Sequence, residues 1–133
     1  MHATSRKLLL LITALAEAAI GLCLLFLPAV VFGLLLGLEQ ATADTIFVGR
    51  ITGAALLAIG VASWMARNDT LTPAQLGLLT GILIYNAAAS MLLVYAGAVL
   101  EMKGVLLWPT VALHAILAVW CFSCLHSDTT PKN

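Results

Sequence analysis

Four apolar stretches, about residues 8–27, 46–66, 76–98 and 105–125, each reach the roughly 20 residues that a helix needs to cross the hydrocarbon core of a bilayer. Inside lipid every backbone N–H and C=O must find its partner within the protein, so such runs leave helices as the spanning structure. The expected fold class is therefore all-α integral membrane: a four-transmembrane-helix bundle. With 62% hydrophobic and only 9% charged residues, the chain lies far from soluble domains, in which about 25% of residues are charged. Its 133 residues suit a single membrane domain spanning 1–133. A formal net charge of zero argues against nucleic acid as a partner and leaves the lipid bilayer as the expected surroundings.

The first run follows Arg6 and Lys7 as a secretory signal would. It is too long for an h-region and meets Pro28 rather than a small-x-small cleavage site, so it reads as a retained helix. After it comes Ala29–Leu38, AVVFGLLLGL, apolar but only about ten residues long. This connector suits a re-entrant segment, an interfacial segment, or a continuation of helix 1 beyond a Pro28 kink. Thr70 or Thr72 with Pro73 forms a cap and first-turn pair for helix 3. Gly104 separates helices 3 and 4, and SDTTPKN closes the chain as a polar tail.

Orientation follows from Lys and Arg in the loops. Arg6, Lys7, Arg67 and Lys132 fall on one side against Lys103 and Arg50 on the other, with Glu39, Asp44 and Glu101 opposite the richer side. The positive-inside rule then places both termini in the cytoplasm, with a bacterial inner membrane as the expected location. Trp64 and Trp120 at one end, and Tyr95 and Trp108 at the other, suit interfacial anchors.

Small residues recur four apart: Gly49 and Gly53, continued by Ala54, Ala58 and Ala62; Gly77 and Gly81; Ala14 and Ala18. Such spacing lets helix backbones approach closely. Short loops point to packing within the chain, with a homo-oligomer face or a place in a larger membrane complex as the alternatives.

Polar residues inside the spans are the candidates for function. Counted at 1.5 Å per residue, Glu17 on helix 1, Asn86 on helix 3 and His114 on helix 4 each lie about nine or ten residues from a helix end, near the midplane. Tyr85 adjoins Asn86, and Ser90 follows one turn on. Arg50 sits about four residues from the outer end of helix 2, from where it either snorkels to the interface or bends inward as a counter-charge for Glu17. The candidate ligand- or proton-binding set is therefore Glu17, Arg50, Tyr85, Asn86 and His114. The plainer alternative is interhelical hydrogen bonding that fixes helix register.

Cys121 and Cys124 have CxxC spacing and form a candidate redox pair; as buried small apolar residues, they and Cys23 need no function. No HExxH or paired-His spacing occurs, and one histidine on helix 4 is a poor case for haem, so neither metal nor cofactor is expected. Nucleophile-elbow, P-loop and dinucleotide motifs are absent from the sequence. Catalysis is not signalled.

Two family resemblances attach to particular stretches. GRITGAALLAIGVASW, Gly49 to Trp64, resembles the uncharacterised small four-helix membrane proteins of DoxX-like type; the likeness extends over most of the chain as hydropathy and over helix 2 as motif. It implies a helical bundle and draws attention to Arg50. ALAEAAIG, Ala14 to Gly21, is similar to the first-helix motif of small multidrug resistance exporters, whose glutamate binds substrate cation and proton in turn, and Glu17 matches that glutamate. The connector 29–38, Arg50 and His114 depart from the exporter pattern.

Three functions are thereby open. The leading one is a buried midplane site that binds a small or lipophilic ligand, or a subunit role in a larger complex. A proton-coupled transporter using Glu17 is the second, and a redox or quinone-associated membrane component is the third.

Overall fold

The computed structural model describes residues 2–129. Its regular structure is five helices: α1 (His2–Phe26), α2 (Pro28–Leu36), α3 (Ala43–Ala66), α4 (Pro73–Ala98) and α5 (Leu107–Thr129). Four of them, α1, α3, α4 and α5, are long and apolar enough to cross a membrane. The chain is a multi-pass helical membrane protein. Lys132 and the rest of the tail beyond Thr129 lie outside the described residues.

Local chemistry sets most of the helix ends. Thr42 Oγ1 accepts from the Thr45 N–H at 3.3 Å to cap α3, and Thr72, rather than Thr70, caps α4 by accepting from the Gln75 N–H at 3.2 Å. Such caps satisfy amides that the first turn leaves without partners. Pro73 and Pro28 open α4 and α2, where a missing N–H costs nothing.

The connector is a helix of its own. Leu27 leaves the helical region, with φ −130° and ψ 44°, so α2 does not continue α1. Gly37 closes it in the left-handed conformation at φ 74°, donating to Gly33 O at 3.0 Å. That geometry suits glycine, which has no Cβ to clash. α2 crosses the end of the bundle. Phe32 packs over Gly49 of α3, and Leu34 O accepts from the Leu106 N–H at 2.9 Å beside the start of α5.

The buried positions of the long helices alternate in steps of three and four. On α3 they are Gly49, Gly53, Leu56, Gly60 and Ser63; on α4, Gln75, Leu79, Ile82 and Asn86, with Ala96 in phase. On α1 the stripe runs Leu10, Ala14, Glu17, Gly21, Leu24, and on α5 it includes Leu117, Cys121 and Cys124. An average step of 3.5 favours the shallow crossing of left-handed bundles, near 20°.

Within this bundle the helices pack as two antiparallel pairs, α1 with α3 and α4 with α5. The first pair is in backbone contact: a Cβ on Gly21 would stand 2.8 Å from Gly53 O, and one on Gly60 would stand 2.9 Å from Ala18 N. The pairs share a core at the end that holds the N-terminus of α1, formed by Leu9, Leu10, Leu79, Ile82, Leu117, Cys121 and Cys124. Gln75 Nε2 ties the pairs at the same end, donating to Ala66 O at 2.9 Å and Asp69 O at 3.3 Å. Trp120 is bound into the protein, its Nε1 donating to Ser5 Oγ at 2.9 Å. Trp64 stays exposed beneath the Arg67 guanidinium, which lies 3.6 Å from the ring centroid.

One expected packing face is not used. Nothing stands within 4 Å of a Cβ built on Gly77 or Gly81, so the small-residue ladder of α4 faces outward. Spacing alone could not separate a packed ladder from an open one. Gly81→Ala should therefore raise stability by about 0.5–1 kcal/mol through helix propensity. Thermal unfolding of the detergent-solubilised protein reads this directly, and a fall in place of the rise would mean that a neighbour covers the face.

Candidate functional site

The shared apolar core gives way to polar groups one turn beyond Ile82. Glu17 comes from the interior stripe of α1 and is only 2% exposed. Its Oε2 accepts from the Tyr85 hydroxyl of α4 at 3.3 Å. On the adjoining face of α4, fully buried Asn86 donates through Nδ2 to Ile82 O at 2.9 Å. This bond orients the amide, leaving Oδ1 as the acceptor for His114 Nδ1 on α5 at 2.8 Å. Since Oδ1 can only accept, His114 donates from Nδ1, and Nε2 is the ring nitrogen left for another partner.

Aromatic packing joins the two halves. The Tyr85 and His114 rings meet edge to face, 5.5 Å apart at 88°. One turn on, Ser90 Oγ donates to Val111 O at 3.4 Å. The layer expected from depth therefore exists as a contiguous group: Glu17, Tyr85, Asn86 and His114 from three helices. Tyr85 and His114 are half-buried, whereas Glu17 and Asn86 are enclosed. The polarity runs from an accessible aromatic rim to a buried carboxyl and amide.

Arg50 is not part of it. This side chain is exposed on α3, and Glu17 takes the neutral Tyr85 hydroxyl as its partner instead. The reason is rotational: α3 turns Gly49 and Gly53 toward α1 and α2, which directs the intervening Arg50 outward.

The cysteines divide. Cys23 is exposed on α1, contrary to the expectation of burial. Cys121 is buried and donates to Leu79 O at 3.0 Å, while buried Cys124 lies 3.6 Å from Ser5 Oγ. Thiols enclosed in this way are packing groups, since reactivity calls for an accessible thiolate in electropositive surroundings. Among the described residues, no three His, Cys, Asp or Glu side chains converge to hold a metal ion.

Thr13 and Ser63 were not legible as site residues. Both are fully buried, and neither hydroxyl has a hydrogen-bond partner. In sequence they are marked only by spacing: Thr13 precedes Glu17 by four residues, and Ser63 follows Gly60 by three. Compared with protein-family models, with curated proteins and with solved structures, the chain finds no match.

Proposed function

We propose that this multi-pass membrane protein binds a small or lipophilic ligand at the midplane group of Glu17, Tyr85, Asn86 and His114. The observation that carries this reading is the Glu17 carboxyl, enclosed at bilayer depth with a neutral hydroxyl as its partner. An ionisable group so placed is expensive to keep, and a purely structural tie between helices needs only an amide or hydroxyl. Its neighbours define the ligand chemistry. Glu17 and His114 Nε2 offer acceptors, Tyr85 and His114 offer ring faces at the half-buried rim, and the surrounding helices are apolar. A ligand with one or two hydrogen-bond donors on an apolar body meets all three.

We also place both termini on the cytoplasmic face of a bacterial inner membrane, on the loop distribution of Arg6, Lys7, Arg67 and Lys132.

Native mass spectrometry of protein purified in mild detergent tests the ligand reading. The parent chain should carry a non-protein mass that Glu17→Gln loses and that Tyr85→Phe retains at lower occupancy. A chain that emerges free of any bound mass, or a mass indifferent to Glu17→Gln, would overturn the reading.

A further inference from the structure

A second polar element lies one helical turn from Glu17, toward the end that holds the shared core. Hydroxyls in membrane helices usually donate to the carbonyl four residues earlier. This chain shows the habit at Thr52 to Val48 O (2.9 Å), Thr80 to Leu76 O (2.9 Å) and Ser123 to Val119 O (2.8 Å). Thr13 and Ser63 depart from it. They are 0% exposed, and their oxygens lack partners. Leaving a buried hydroxyl unsatisfied costs about 1–3 kcal/mol, so two of them at one level call for something that satisfies both.

Register brings them to that level. α1 and α3 run antiparallel, with Gly21 against Gly53 and Gly60 against Ala14 and Ala18. Ser63, one turn past Gly60, therefore stands level with residues 10–14 of α1, where Thr13 lies. Glu17 is four residues beyond Thr13 on the same face of α1.

We propose that Thr13, Ser63 and Glu17 form a site for a small monovalent cation, with sodium the foremost candidate. Every side-chain ligand is an oxygen, which selects a hard cation over metals that prefer imidazole or thiolate. The group carries one carboxylate. A monovalent ion is balanced by it, whereas a divalent ion would leave net positive charge at bilayer depth. The site extends the ligand site proposed above by one turn and rests on that reading only through Glu17.

Thermal unfolding of the full chain in lipid nanodiscs, in sodium, potassium or choline chloride at equal ionic strength, tests the proposal. Sodium should raise the midpoint by about 3 °C over choline, as expected when ion concentration exceeds its dissociation constant severalfold. Thr13→Val, Ser63→Ala and Glu17→Gln should each abolish the increment. Thr13→Val is nearly isosteric and removes an unpartnered hydroxyl, so in choline it should be at least as stable as the parent. Equilibrium dialysis of radioactive sodium against the parent, expected to bind about one ion per chain, gives a readout that needs no variant.

Equal midpoints in all three salts, an increment that survives in Thr13→Val and Ser63→Ala, or no bound sodium would overturn the proposal. The two readings fail separately. A bound organic mass retained by Thr13→Val with no sodium increment sinks the cation site alone, and a sodium increment without any bound mass sinks the ligand reading alone.

Discussion

Gly104→Ala should detach α2 from the start of α5 and cost about 3 kcal/mol or more, at the upper end of what overpacking imposes. A Cβ at this position would lie 2.1 Å from both the carbonyl carbon and oxygen of Leu35 and 2.6 Å from Leu34 O. These are backbone atoms, and no rotamer change can move them aside. Their place is held from both directions, by the bond from the Leu106 N–H to Leu34 O at 2.9 Å and by the Gly37 cap onto Gly33 O at 3.0 Å. Thermal unfolding in detergent measures the loss. Gly33→Ala is the control: its Cβ would meet nothing nearer than Leu38 O at 3.5 Å, an ordinary contact, and its midpoint should stay close to that of the parent.

The second large effect belongs to the α1–α3 seam. A Cβ on Gly53 would stand 2.7 Å from Gly21 O and 2.8 Å from Leu25 N; one on Gly60 would stand 2.9 Å from Ala18 N and 3.0 Å from Ala14 O. Either change to alanine forces the helices apart, with an expected cost of about 2–3 kcal/mol. The double variant should lose less than the sum of the singles, because a seam opened at one glycine has already relieved the other. Lipid supplies no hydrophobic drive to close the gap again, so the lost dispersion contact is not recovered elsewhere. Unfolding midpoints of the two single variants and the double read this coupling. A fully additive double would argue that the contacts relax independently.

Both effects turn on glycines whose importance was unequally visible. The Gly49–Gly53 ladder announces close packing, and the two glycines use it differently, Gly53 against α1 and Gly49 against Pro28 and Phe32 of α2. Gly77 and Gly81 carried the same spacing and face open space. Gly104 reads only as a helix separator, yet a Cβ there would come nearer to another backbone than one on any other described glycine. Spacing records that a helix face is smooth; what lies against that face depends on the other helices.

The candidate site divides in the same manner. Depth is legible because each residue advances a helix by 1.5 Å, and Glu17, Asn86 and His114 do converge on one layer. Pairing was not legible. Of the two places open to Arg50, the interface or a counter-charge position beside Glu17, it takes the outward one, and Tyr85 and Asn86, adjacent in sequence, serve different partners on α1 and α5. Thr13 and Ser63 are not singled out by sequence, because serine and threonine ordinarily satisfy themselves within their own helix and the exception lies in the hydrogen bonds.

By itself, the sequence determined the four spans, their apolar character, the Pro73 start of α4 and the level of each polar group along its helix. These follow from local chemistry and from counting along a helix axis. Only the tertiary structure decided that the helices form two pairs, that α2 closes over one end, that Glu17 meets Tyr85 rather than Arg50, and that the Thr13 and Ser63 hydroxyls are buried without a partner. The physical reason is that these outcomes depend on the rotation of each helix about its axis and on its neighbours, which backbone contacts between remote segments set and no single segment contains.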